Sequence, residues 1–298
     1  MDFKRLGHTL ILSGEVVARD LDRAKAEFKT APAITHVVLR NSMGGNSWTG
    51  YRLGELFREN GVTTAVSGHC ISSCSRLFLG GKQRMFSDDY PLSMTFVGFH
   101  GHYDFGKLNT QAVEKDDLAR WTIKYTDGKV DPKLLQRWIH IERRAGDARF
   151  YPAAVTAIWR DASFICTGTE SSRPAQCERL GTSGLGQGIV TTTQLYSSPD
   201  AAMLPFKKRE AKYPTTTYAT LTDASKLPNA SIALRKDYAQ FIASSLPRAF
   251  ALSANGKQWA WNANDSQSAE RAIQRCQFMA KASCVLYAVD ERVVFRKP

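Results

Sequence analysis

Short continuous apolar runs alternate with amphipathic stretches through much of this chain. Residues 9–14, with Leu10-Ile11-Leu12 between Thr9 and Ser13-Gly14, read as a buried strand closed by a glycine. From Asp20 to Phe28 the apolar positions Leu21, Ala24 and Phe28 fall at helical spacing among charges. Residues 34–39 end in Val37-Val38-Leu39, a second strand, and a glycine loop follows. Trp48, Tyr51, Leu53, Leu56 and Phe57 then predict a helix that stops near Asn60-Gly61. Residues 62–66 form a third strand, and Leu77-Phe78-Leu79 continues on a third helix. Strand–helix alternation of this kind predicts an α/β fold with a mainly parallel sheet covered by helices. Residues 94–99 predict a further strand that delivers His100 at its end. Residues 113–144 read as mostly helical, with later strands at Ser163-Phe164-Ile165-Cys166 and Gly188-Ile189-Val190.

The pattern changes after Thr191. Residues 196–217 are rich in Ser, Thr, Pro and Lys, including Pro199, Pro205 and Pro214, and read as a linker between a larger domain (1–195) and a small α+β domain (218–298). In the small domain Asn255-Gly256 is a strong hairpin signal. Asp265 is placed to cap a helix carrying Ala269, Ala272, Ile273, Cys276 and Met279 on one face. Cys284-Val285-Leu286-Tyr287 and Val293-Val294-Phe295 close the chain as strands, and the sequence assigns this domain no role.

Composition sharpens the class. The chain has 298 residues, 43% hydrophobic and 23% charged, the balance of a folded globular protein. No apolar run approaches the roughly 18 residues a spanning helix needs. The net charge is +12, from 40 basic and 28 acidic residues. This favours an acidic partner, such as a protein of the cell envelope, although solubility alone also accounts for it. The densest cluster, Lys207-Lys208-Arg209 with Lys212, has no aromatic ladder or nucleic-acid motif beside it, so nucleic acid is not expected.

The six cysteines, Cys70, Cys74, Cys166, Cys177, Cys276 and Cys284, fall into three local pairs whose spacings do not suit a metal site. Three disulfides are expected, and with them an oxidising compartment. The segment Met1-Asp2-Phe3-Lys4-Arg5-Leu6 lacks the apolar core of a signal peptide. The expectation is an exported protein, periplasmic or secreted, whose leader this sequence does not include. Free buried thiols in a cytosolic protein are the alternative.

The candidate chemistry centres on Gly68-His69-Cys70-Ile71-Ser72-Ser73-Cys74, a strand-to-helix turn. A serine there can turn its hydroxyl away from the core, beside N–H groups at the start of a helix. The plainer role for Ser72 is a helix cap, and Ser73 and Ser75 compete with it. A Cys70–Cys74 bridge would stiffen the turn and remove two rival nucleophiles. Upstream, Gly44-Gly45 can expose backbone N–H groups to an oxyanion. The Ser73 N–H is a second candidate donor. His100, at a strand end before Gly101, is the candidate base and His102 the alternative. For the acid that orients the histidine, Asp161 is the first choice, with Asp104, Asp147 and Glu170 as looser candidates.

Together these segments resemble the Clp-type serine peptidases, within the wider crotonase-like fold. The family's Asn-Ser-Pro-Gly-Gly loop reads here Asn41-Ser42-Met43-Gly44-Gly45. Its glycine four residues before the nucleophile is Gly68, ahead of Ser72. Its glycine and arginine after the nucleophile helix match Gly80-Gly81 and Arg84, and its base after an apolar strand matches Val97-Gly98-Phe99-His100. The cysteine bracket around Ser72, with Phe99-His100-Gly101, looks like exported Clp-like proteins of Gram-negative bacteria. The resemblance covers residues 10–190. It implies a parallel-sheet spiral with flanking helices, a Ser72 nucleophile, a His100 base and an oxyanion hole from the Gly44 and Ser73 N–H groups. It also implies a peptide or protein substrate without metal or cofactor, and an oligomer, although the insert between His100 and Asp161 departs from the family. The competing expectations are an inactive binding protein of the envelope on the same fold and, less well suited to an exported chain, acyl-CoA chemistry.

Overall fold

The computed structural model describes residues 1–115, 117–170 and 176–296. The chain forms two compact units, residues 1–204 and 205–298.

In the first unit β1 (Asp2–Leu6) and β2 (Thr9–Ser13) make a hairpin, followed by α1 (Asp20–Phe28), β3 (His36–Ser42), α2 (Ser47–Glu59), β4 (Thr63–Ile71), α3 (Ser73–Gly80), β5 (Gln83–Ser87) and β6 (Phe96–Phe99). Strands β2, β3, β4 and β6 are parallel neighbours. They are buried along their length, as a sheet covered by helices requires. Beyond β6 the sheet turns antiparallel through strands Asp147–Phe150, Ser163–Cys166 and Glu178–Arg179. The expected alternation is present, set between an antiparallel hairpin and an antiparallel margin.

Strand β4 forks the sheet. Its first half, Thr63 to Val66, pairs with β5, and its last residues, His69 to Ile71, pair with β6. The register between β3 and β4 shifts between Arg40 and Ser42, where Asn41 takes a positive φ of 47°. Irregularities of this kind re-aim the ends of strands. Arg84, 1% exposed, ties β5 inward by donating to the carbonyls of Gly81, Gly188 and Ile189.

Several expectations are corrected. Gly188-Ile189-Val190 is a turn, not a strand, and its carbonyls serve Arg84. The segment expected as a linker is folded. Leu195–Tyr196 pairs with β5, Ser198 and Asp200 bind Arg40, and Pro205–Lys212 is a helix of the second unit. That helix is held by Arg209, which meets Asp290 at 2.8 Å. The helical region between β6 and Asp147 consists of α4 (Thr110–Lys115), α5 (Leu118–Tyr125) and α6 (Pro132–Ile139).

The second unit is a four-stranded antiparallel sheet built around the expected hairpin, Arg248–Ser253 with Trp259–Ala263. Helix Ser268–Ala280 supplies Ala269, Ala272 and Cys276 to one apolar cluster. Helix Ile232–Ala243 supplies Leu234, Tyr238 and Phe241 to the other. All six cysteines are paired as 70–74, 166–177 and 276–284.

Candidate active site

A cavity of about 330 Å³ opens at the C-terminal ends of the parallel strands. In open parallel sheets that is where side chains on successive loops converge. Met43 and Gly45 reach it after β3, Ile71 and Ser72 at the end of β4, and His100, Gly101, His102, Tyr103 and Asp104 after β6. The antiparallel margin adds Arg144, Asp147 and Arg149.

Ser72 sits at the junction of β4 and α3 with φ 60° and ψ −128°. A non-glycine residue in that region costs about 1–3 kcal/mol and persists only where its surroundings impose it. Three contacts impose it here. The Ser72 N–H donates to the Gly98 carbonyl at 3.1 Å, extending the β4–β6 ladder past its last pair. The Ser72 carbonyl accepts from the Ser75 N–H at 2.9 Å and from Ser75 Oγ at 2.6 Å. The Cys70–Cys74 disulfide spans the turn. The Ser72 side chain makes no capping hydrogen bond to α3. The plainer role of a helix cap is therefore not the one it plays.

The rival nucleophiles point elsewhere. The Ser73 hydroxyl is buried without a hydrogen-bond partner, and a side chain at Gly50 would lie within 2.9 Å of its Cβ. Ser75 is committed to the Ser72 carbonyl. Cys70 and Cys74 are bonded to each other.

The glycine loop packs directly on the turn. At Gly44, with φ +89°, a Cβ would come within 2.6 Å of Ser72 Cβ and 2.9 Å of the Ser73 nitrogen. A Cβ at Gly45 would strike the Val16 carbonyl, on the side where Asn46 N–H and Val16 are hydrogen-bonded. The donors sort differently from expectation. The Gly44 N–H, expected to face an oxyanion, donates to Ser42 Oγ at 3.2 Å. Among the described residues, the N–H groups of Gly45 and Ser73 have no partner.

His100 follows β6, the parallel neighbour of the strand that ends at Ser72. Its Nδ1 lies 2.7 Å from the Gly101 carbonyl oxygen. A carbonyl only accepts, so Nδ1 carries the hydrogen of the neutral ring and Nε2 keeps its lone pair. Burial, reinforced by the charges of Arg76 and Arg144 and opposed by the Gly101 hydrogen bond, pushes His100 down to about 4. The ring is thus neutral at ordinary pH. No hydrogen bond joins Ser72 to His100 among the described residues. His102 lies 3.2 Å from the Tyr51 hydroxyl and is pushed down to about 3 by burial, with Arg76 and His100 adding to it.

The acid is where sequence reasoning and structure part. Asp161 does not line the cavity. Its Oδ1 accepts from the N–H groups of Ala162 (2.7 Å) and Ser163 (3.1 Å), and its Oδ2 from Gly181 (2.9 Å). It fastens a turn to the sheet and does not orient His100. Glu170 likewise accepts from the N–H groups of Thr167 and Gly168 and lies outside the cavity. Asp147 does line it, beside Gly98, but pairs with Arg149 at 2.6 Å. Burial raises its pKa while Arg149 opposes the shift. Asp104 is exposed and accepts from Asn109 Nδ2. His100 is therefore oriented by a backbone carbonyl, a partner that sequence alone cannot announce.

No family model matches this chain, and no curated protein matches it. Two solved structures, of ClpP1 from Listeria monocytogenes and of a mutant of it, superpose on 65% of the chain and on 93% and 94% of their own length. The identity is 12% and the TM-score 0.39 in both. So loose a superposition carries no weight for the chemistry, which rests on the geometry above.

Proposed function

We propose that this chain is an exported serine hydrolase acting on peptides, with Ser72 as nucleophile and His100 as general base. The observation that carries the reading is the Ser72 turn. A strained serine beside a helix start declines to cap the helix and opens into the same cavity as an imidazole whose Nε2 is free to accept. Ser72 Oγ attacks the substrate carbonyl carbon while His100 Nε2 takes its proton. The Gly45 and Ser73 N–H groups receive the oxyanion. The imidazolium returns the proton to the leaving amine, and water, deprotonated by the same nitrogen, releases the acyl group. Three disulfides suit an oxidising compartment. No helix among the described residues is long and apolar enough to cross a membrane.

The missing Ser72–His100 hydrogen bond is the observation that favours the alternative, a binding protein on the same scaffold. Reaction with a fluorophosphonate probe separates the two. Folded wild-type protein should be labelled and Ser72→Ala should not. A folded wild type that never reacts would remove the hydrolase reading and leave the binding protein.

A further inference from the structure

We infer that the cavity binds a substrate carrying a carboxylate, and that Arg144 is the residue that holds it. This rests on the peptide-hydrolase reading above, but its test does not require turnover.

Two carboxylates and two guanidiniums line the cavity, Asp104, Asp147, Arg144 and Arg149, and the nearby Arg76 adds one more positive charge. Asp147 and Arg149 neutralise each other at 2.6 Å. Asp104 stands in solvent and is occupied by Asn109. Arg144 lines the cavity, and among the described residues no carboxylate or hydrogen-bond acceptor pairs with it. Behind the two histidines lies a second unbalanced cation. Arg76, on α3, is only 3% exposed and its guanidinium stacks 4.6 Å over the Tyr51 ring. Its Nε has no hydrogen-bond partner, and among the described residues no ion pair reaches it.

A buried cation without an anion is rare because desolvation is not repaid. Here its field extends to the site. Arg76 depresses both His100 and His102, and Arg144 depresses His100 as well. The two imidazoles are neutral at ordinary pH and add no charge of their own. With Arg76 counted the charges at the site sum to one positive, and Arg144 offers an exposed planar fork, the donor geometry that matches a carboxylate in two parallel hydrogen bonds. A peptide offers that group from two sources, an Asp or Glu side chain or a free C-terminus.

The test uses the full chain carrying Ser72→Ala, so that binding is read without cleavage. The probes are hexapeptides of one sequence labelled at the N-terminus with an uncharged BODIPY dye, in three forms: without charge and amidated, with a free C-terminal carboxylate, and amidated with one Glu. Fluorescence anisotropy at low ionic strength should give about tenfold tighter binding for at least one carboxylate form than for the neutral form. The form that gains identifies the source. Adding Arg144→Gln should erase the gain, and Arg144→Lys should restore part of it. Arg144 is exposed, so neither change threatens the fold. Equal affinity for all three peptides, no binding by any of them, or a gain that survives Arg144→Gln would overturn the inference. Failure of the wild type to react with the fluorophosphonate would remove the hydrolase reading while leaving this result standing.

Discussion

The turns at Ser72 and at Asp161 differ in one respect that separates chemistry from architecture. At Asp161 both carboxylate oxygens are saturated by backbone donors, from Ala162, Ser163 and Gly181. The cluster under β3 is equally complete, with the Arg40 guanidinium bonded to Ser67, Asp89, Ser198 and Asp200. At Ser72 the polar groups are left open. The hydroxyl caps nothing, two nearby N–H groups have no partner among the described residues, and an imidazole lone pair and two guanidinium groups stand unmatched around it. Buried polar groups are ordinarily satisfied, so a concentration of open ones, imposed together with backbone strain, marks a place kept for a ligand.

Substitutions at the two turns should fail in different ways. Gly44→Ala puts a methyl within 2.6 Å of Ser72 Cβ at a backbone φ of +89°. Probe reactivity should fall by about a hundredfold or more while circular dichroism still reports a folded chain. Asp161→Ala should do the reverse. Leaving its three N–H donors unpaired should cost about 2–3 kcal/mol in urea unfolding. Reactivity per folded molecule should be unchanged, and a parallel loss would merge the two turns into one site.

The Cys70–Cys74 bridge closes a very short loop, so replacing both residues by Ala should cost about 2 kcal/mol and slow labelling several-fold by loosening the turn. Unchanged labelling would mean that Ser75 and the Gly98 carbonyl hold Ser72 unaided. The smallest effect is in pH. Because His100 is held down at about 4, its neutral form persists through mild acid. The labelling rate should stay flat from about pH 8 to about pH 5 and halve near 4, not near the ordinary histidine value of about 6.5. Arg144→Gln removes one of the charges that lower it, so the midpoint should rise, by less than about one unit.

Much of this was legible in the chain. Strands 9–13 and 36–42, both helices around the glycine loop and the Ser72 turn follow from apolar periodicity, because parallel buried strands read as continuous runs. Strand Asp147–Phe150, which brings Asp147 to the cavity, was not legible. Its alternation of polar and apolar residues is short, and its pairing to β6 reaches far back along the chain. Strand β1, Asp-Phe-Lys-Arg-Leu, hid behind its charges, and β5 behind an arginine two of whose carbonyl partners, Gly188 and Ile189, lie over a hundred residues on. Asp161 had the right place in sequence for a catalytic acid, yet only the backbone donors around it reveal that it is occupied. The Gly101 carbonyl that orients His100 has no side-chain signature at all.

The pairing of Ser72 with His100 is tested most directly by the rate at which a fluorophosphonate modifies Ser72, with the modified residue located by mass spectrometry, in wild type and in His100→Gln at neutral pH. Modification is expected at Ser72, at a rate lowered by about a hundredfold or more when the imidazole is removed. Modification of Ser72 at an undiminished rate in His100→Gln, or of a different residue in the wild type, would contradict that pairing.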